Sequence, residues 1–248
     1  MNNETNRIYN DILARHEQNQ KTFAWLIDPD RYQRDTLTRL RDQNLIPHII
    51  LVGGSFVSTN TVFVVRDIKS IVADNSHVVL FPGDISQLSP NADALLLLSL
   101  VSGRNPEFLI GQHVKAAPHI QRMNIETIPT AYILIDGGTH TSVEYISATS
   151  PIPANKPELA VATALAAQQL GMSAIYLEAG SGAINPVSNE IISQVRNATR
   201  LPLFVGGGLQ NADELDRVFQ AGADIAVVGT LIERHPQAIT DIMKRLAI

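Results

Sequence analysis

Short runs of β-branched and aliphatic residues recur along the chain, several ending at a glycine, aspartate or proline and several followed by a helical pattern. This alternation is the rhythm of βα units, and it points to a parallel sheet covered by helices. The eight runs are Thr22 to Asp28, His48 to Val52, His77 to Phe81, Asp93 to Leu100, Thr130 to Ile135, Ala174 to Glu178, Leu203 to Val205 and Asp224 to Val228. Ile49-Ile50-Leu51-Val52 and Ile225-Ala226-Val227-Val228 are apolar at every position, as strands buried on both faces require. Eight such units in 248 residues match a (β/α)8 TIM barrel, which takes about 250 residues as one domain. No linker breaks the chain, so residues 1–248 are expected to form a single barrel domain.

The helix signals are clearest in the second half. Lys156 to Leu170 is rich in alanine and leucine and stops at Gly171, a residue suited to a C-terminal cap. Asn185-Pro186 has the cap-then-proline order that opens a helix, and Asn211 precedes an acidic first turn with Asp213 and Glu214, in a helix ending near Gly222. Two places break the rhythm. Pro82 to Ala92 is too short for a full helix and its turns, so the third helix is missing or replaced by a loop. Asp136 to Asn155 is a long connection, and loops of that length in a compact domain usually serve function; a lid over the barrel mouth is expected there.

Charge and composition exclude several classes. The formal net charge of −5 argues against a basic face for nucleic acid. There is no cysteine, which removes disulfides, thiolate metal sites and thiol nucleophiles and fits a cytoplasmic protein. Met1 to Gln20 lacks the apolar segment of a signal peptide, and the most apolar run, Ala94 to Val101, is far short of the roughly 20 residues of a membrane span.

The strongest chemical signal is the set of glycine-rich turns after the last three strands, Gly180-Ser181-Gly182, Gly206-Gly207-Gly208 and Gly229-Thr230. A phosphate needs several backbone N–H donors at close range, and glycine permits both the approach and the positive-φ geometry that aims them. Barrels of this kind commonly hold phosphate after strands seven and eight. Any one of these glycines serves equally well as an ordinary tight turn. Tyr176 and Glu178 share one side of the sixth strand, and Leu177 takes the other. If the shared side is the interior, Glu178 stands at the mouth as a hydrogen-bond acceptor or general base; the plainer reading is a buried ion pair with a lysine or arginine. Asp28 and Ser55 stand at adjacent strand ends and offer hard oxygen ligands for magnesium, while Asp28-Pro29 also reads as a helix cap. The histidines, His16, His48, His77, His113, His119, His140 and His235, are scattered and show no ligand spacing; they read as structural or surface residues.

Taken together, Leu26-Ile27-Asp28-Pro29-Asp30, Gly53-Gly54-Ser55, Phe81-Pro82-Gly83, Tyr176-Leu177-Glu178-Ala179-Gly180-Ser181-Gly182, Gly206-Gly207-Gly208 and Gly229-Thr230 resemble the geranylgeranylglyceryl phosphate synthase family over nearly the whole chain. Leu98-Ser99-Leu100-Val101-Ser102-Gly103-Arg104-Asn105-Pro106 resembles the branch in which bacterial sequences accompany archaeal ones, related to the heptaprenylglyceryl phosphate synthases. The resemblance implies an enzyme that transfers a prenyl group from its diphosphate to the 3-hydroxyl of sn-glycerol 1-phosphate, making an ether-lipid precursor. It implies glycerol phosphate on Tyr176, Leu177, Glu178, Ala179, Gly180, Ser181, Gly182, Gly207, Gly208, Gly229 and Thr230, with Glu178 as the catalytic group, and magnesium on Asp28 and Ser55. A homo-oligomer, dimer or hexamer, is expected by the same resemblance. The heptaprenyl branch carries a lysine two residues before its metal aspartate. Leu26 stands there in this chain, so the diphosphate must find positive charge elsewhere, with Arg104 or Lys156 as candidates. Two rivals remain: another phosphate-binding barrel, an isomerase or lyase, or a non-catalytic phosphate-binding barrel that needs neither Asp28 nor Ser55.

Overall fold

A computed structural model describes residues 6–245 of the chain. Eight parallel strands close into a barrel in the order β1-β2-β3-β4-β5-β6-β7-β8. They are β1 Thr22–Ile27, β2 Ile49–Val52, β3 His77–Leu80, β4 Ala94–Leu100, β5 Glu126–Leu134, β6 Ala174–Glu178, β7 Leu203–Gly206 and β8 Ile225–Val228. The closing pair is β1 with β8, in the register Thr22↔Ile225 to Trp25↔Val228.

Alternation along each strand divides the apolar residues into two layers. One set, including Ala24, Ile49, Leu51, Leu96, Leu134, Tyr176, Phe204 and Val227, packs in the barrel interior. The other, including Phe23, Trp25, Ile50, Val52, Leu177 and Val205, packs against the helices. Helix α1 (Arg7–Glu17) adds Ile8 and Ile12 to the interior set, and its first turn donates from Ile8 N and Tyr9 N to the Glu126 carboxylate at 2.9 and 2.7 Å. This contact explains why β5 begins at Glu126 rather than at Thr130. Seven-residue β4 pairs with it from Ala94↔Glu126 onward, so the extra residues gain both ladder partners and a capping role.

The outer helices are α2 (Arg34–Asp42), α3 (Thr61–Val72), α4 (Gln112–Met123, entered through a π-helical turn at Glu107–Gly111), α5 (Ser142–Ser147), α6 (Pro157–Gln169), α7 (Asn189–Ala198), α8 (Ala212–Ala221), α9 (Thr230–Arg234) and α10 (Ala238–Arg245). Between β3 and β4 stands only a single 3-10 turn, Ile85–Gln87, so the helix expected to be missing there is replaced by a short segment. The helix placed at Asn185-Pro186 opens later, with Ser188 as the cap that accepts from Ile191 N at 3.3 Å. Asn185 is otherwise engaged: Ile184 N and Asn185 N both donate to Gly137 O at 3.0 Å, tying this segment to the loop after β5. Asn211 caps α8 by accepting from Glu214 N, as its sequence predicts.

Residues 136–155 do not form an open loop. They hold α5 behind a capping box, in which Thr141 and Glu144 satisfy each other's backbone donors, and Ile152 bridges back to Ile135. Ser147 and Thr149 are buried within the segment, and Ser147 O accepts from Asn105 Nδ2 at 2.7 Å. No helix among the described residues is long and apolar enough to cross a membrane.

Candidate active site at the barrel mouth

The C-terminal ends of the strands surround a cavity of about 590 Å³. Asp28, Ser55, Tyr176, Glu178, Ser181, Gly182, Gly207, Gly208, Gly229 and Thr230 all line it. Leu177 and Ala179 do not; both side chains lie in the layer between sheet and helices, because they alternate with Tyr176 and Glu178. Gly180 contributes through its backbone, donating its N–H to Glu178 Oε1 at 2.6 Å.

Glycine is required here by geometry. Gly207 sits at φ +83°, and a Cβ on it would overlap Glu178 Oε1 and crowd the amides of Ala179 and Gly180. With Gly180, Gly182 and Gly208 also at positive φ, the turns after β6 and β7 lie close around the carboxylate.

Glu178 is the electrostatic centre of the mouth. It is only 5% exposed, and among the described residues it pairs with no lysine or arginine, which removes the buried ion-pair reading. Burial pushes its carboxyl up to about 7, against the lowering effect of the Gly180 amide and the Tyr176 hydroxyl. A carboxyl poised near neutrality is suited to accept a proton. Below it, Tyr176 stacks between Tyr132 (5.5 Å between centroids) and Phe204 (5.9 Å), with Phe81 at 5.0 Å. The Tyr176 hydroxyl is buried without a hydrogen-bond partner of good geometry, although the Glu178 charge is near enough to add to burial in pushing its phenol well up.

Asp28 follows β1 and acts as the cap that Asp28-Pro29 announces. Oδ1 accepts from Asp30 N at 2.9 Å and caps the 3-10 turn Pro29–Arg31, while Oδ2 lies 3.9 Å from Arg31 Nε. Burial raises its carboxyl above the usual range, so a cation beside it would relieve an under-compensated charge. Ser55 lines the same cavity one strand away, so two hard-oxygen donors of the kind magnesium takes face one space. Asp30 is committed elsewhere: Ser58 N, Ser58 Oγ and Thr59 N donate to it, and these bonds hold its carboxyl down at about 2.

Beside the mouth runs an apolar groove, and the replaced third helix makes room for it. Leu95 and Leu97 on the outward face of β4 border it, opposite Ala116 and Ile120 of α4 and opposite Ile85 and Leu88 at the short segment and its C-terminal end. Gly54, Ser55, Phe81, Tyr132 and Val143 border both the groove and the mouth, so the two spaces adjoin.

Arg104 and Lys156 are not at the mouth. Arg104 is exposed and donates to Gly103 O at 2.7 Å, and Lys156 lies 3.8 Å from Glu158 on the surface. The guanidinium groups that line the mouth are Arg31 and Arg234, which the sequence reading missed. Their positions carry a usable signal: Arg31 stands three residues after Asp28, and Arg234 four after Thr230.

Two of the scattered histidines converge in space in a structural role. At the opposite end of the barrel, His48 Nε2 lies 2.6 Å and His77 Nε2 3.6 Å from Asp11 Oδ2, a grouping of metal-ligand type. Arg15 fills the cation's place, with Nε 3.3 Å from the same oxygen and Nη2 3.3 Å from His48 Nδ1. A donor facing Nδ1 leaves the proton on Nε2, where it is shared with Asp11. The cluster is a clasp holding α1 across the barrel floor.

Comparison with known proteins agrees with this arrangement. The pattern of the PcrB family matches residues 15–246. The chain is 44% identical over 240 residues to the geranylgeranylglyceryl phosphate synthase of Chitinophaga pinensis, covering 96% of this chain and 94% of that protein. It is 41% identical over 196 residues to the archaeal synthase of Korarchaeum cryptofilum, covering 78% and 79%. The crystal structure of (S)-3-O-geranylgeranylglyceryl phosphate synthase from Thermoplasma acidophilum in complex with its substrate sn-glycerol-1-phosphate superimposes with a TM-score of 0.87 at 31% identity, covering 96% of this chain and 98% of that one. A thiamine phosphate pyrophosphorylase from Pyrococcus furiosus, at 15% identity and a TM-score of 0.56, shares the fold alone. With its barrel, its glycine-lined mouth and bacterial and archaeal relatives alike, the chain belongs to the PcrB family.

Proposed function

We propose that this protein joins a geranylgeranyl group from its diphosphate to the 3-hydroxyl of sn-glycerol 1-phosphate. The observation that carries the reading is the shared wall between a polar mouth and an apolar groove at Ser55, Phe81, Tyr132 and Val143. A reaction between a small phosphate ester and a long hydrocarbon needs both environments within bonding distance of one another.

The glycerol phosphate group fits the backbone amides around Gly182, Gly207, Gly208, Gly229 and Thr230. That placement directs the other end of the glycerol toward Glu178 and the unpartnered Tyr176 hydroxyl. As the new carbon–oxygen bond forms, Glu178 takes the proton from the 3-hydroxyl, and the bond from the allylic carbon to the diphosphate oxygen breaks with its electron pair leaving on the diphosphate. Asp28 and Ser55 would hold magnesium, which neutralises charge on the leaving oxygens when bound. The prenyl chain lies in the groove, where each buried methylene contributes about 0.8 kcal/mol, so the hydrocarbon dominates affinity for that substrate. Incubation with sn-glycerol 1-phosphate and prenyl diphosphates of several lengths, with product masses read out, tests the proposal. A product heavier than glycerol phosphate by one geranylgeranyl unit is expected, and absence of any prenylated product refutes it.

A further inference from the structure

We infer that Arg31 and Arg234 receive the diphosphate of the prenyl substrate, Arg31 exchanging its ion pair with Glu233 for the incoming phosphate oxygens. The inference rests on the proposed prenyl transfer and deepens it by assigning the cations that transfer needs. Asp28, Arg31, Glu233 and Arg234 border both the mouth and a side cavity of about 300 Å³ between β1, α2 and α9. Around the rim, the apolar groove stands at β3 and β4, Ser55 after β2, and Asp28 and Arg31 after β1. A chain threaded along the groove therefore brings its polar end past Ser55 to Asp28 and the two arginines.

The donor inventory supports an anion there. Arg31 Nη1 donates to Glu233 Oε2 at 2.9 Å and its Nε lies 3.9 Å from Asp28, which leaves most of its five N–H groups free. Arg234 has no ion pair among the described residues. Trp25 Nε1, on a residue 6% exposed, borders the side cavity and is buried without a partner. All three are donors only, and an oxyanion is the acceptor that meets the free N–H groups of Arg31 and the unpaired Arg234 and Trp25. A diphosphate also brings the charge to compete with Glu233, since a planar guanidinium meets phosphate oxygens in pairs.

Titration calorimetry with inorganic diphosphate and, separately, sn-glycerol 1-phosphate tests this in the absence of added metal and again with magnesium. Arg31→Gln and Arg234→Gln are each expected to weaken diphosphate binding by about tenfold or more, the scale of a lost hydrogen bond to a charged group. Glycerol phosphate binding should stay unchanged, which also reports that the variants fold. Glu233→Gln, which frees Arg31 without removing it, should leave diphosphate binding equal or tighter. Unchanged diphosphate affinity in both arginine variants overturns the inference. So does an equal loss for glycerol phosphate, which would assign the arginines to the phosphate pole. Wild-type protein that forms no prenylated product sinks the underlying reading instead, while normal turnover with diphosphate-indifferent variants sinks only this assignment.

Discussion

Replacing Glu178 by glutamine tests the electrostatics and the chemistry of the mouth together. The carboxyl is 5% exposed, and burial raises it from its usual 4.5 to about 7. Between those values the folded protein holds a proton that the unfolded chain has released, so stability falls as pH rises through that window. The gap corresponds to about 3 kcal/mol by pH 8 in the ligand-free protein. Glutamine carries no ionisation, and its amide oxygen keeps the acceptor for Gly180 N. The variant should melt close to wild type at pH 5 and roughly 6 to 12 °C above it at pH 8. Turnover should move the other way, falling by about two to four orders of magnitude if Glu178 takes the hydroxyl proton. The acid limb of kcat/KM near pH 7 in the wild type should vanish with it, and affinity for glycerol phosphate should fall less than turnover. Melting curves at both pH values and initial rates across pH measure all of this. Near-normal turnover in the variant would show that water or the departing diphosphate takes the proton. An unchanged gap in melting temperature between pH 5 and pH 8 would show that the ionised carboxylate carries no burial penalty.

Asp28→Asn keeps an acceptor for Asp30 N and should leave the melting temperature nearly unchanged while abolishing magnesium-dependent turnover; matched losses of both would assign Asp28 to capping alone. Gly207→Ala places a Cβ against Glu178 Oε1 at a positive φ, and should cost about 1–3 kcal/mol of stability with loss of glycerol phosphate binding; a normal binding isotherm would contradict the packing described. Burial alone would raise Asp11, but its bond to His48 and the positive charge gathered around it hold it below its usual value. The stability it contributes is therefore present above the ordinary aspartate range and lost as pH falls through its lowered value. Asp11→Ala should cost about 1 kcal/mol at pH 7 and progressively less in acid, and a pH-independent loss in denaturant titrations would rule out the clasp as its source.

The βα rhythm, the glycine turns and the carboxylates at the strand ends were legible in the chain because each depends on interactions within a few residues. Strand alternation puts Glu178 and Tyr176 on one face and Leu177 on the other, barrel closure makes the shared face the interior, and Gly207 permits a positive-φ turn by lacking a Cβ. The gap between the third and fourth strands was readable as a missing helix, but its consequence was not. Only the closed barrel turns that gap into a groove, by bringing Leu95 and Leu97 of β4 to one wall of it and Ala116 and Ile120 of α4 to the other. The opening of α7 at Ser188 rather than Asn185 has the same origin, since Gly137 O, distant in sequence, claims the Asn185 amide. Long-range ion pairs were hidden altogether: Arg31 and Glu233 are 202 residues apart, and His48 and Asp11 are 37. A local pattern carries no information about which distant charges barrel closure brings together, because their energy depends on separation in space. The sequence by itself therefore determined where the glycine turns and an acid stand along the chain; the tertiary structure alone decided that Glu178 is desolvated, that the groove opens beside it, and that Arg31 and Arg234 face the mouth.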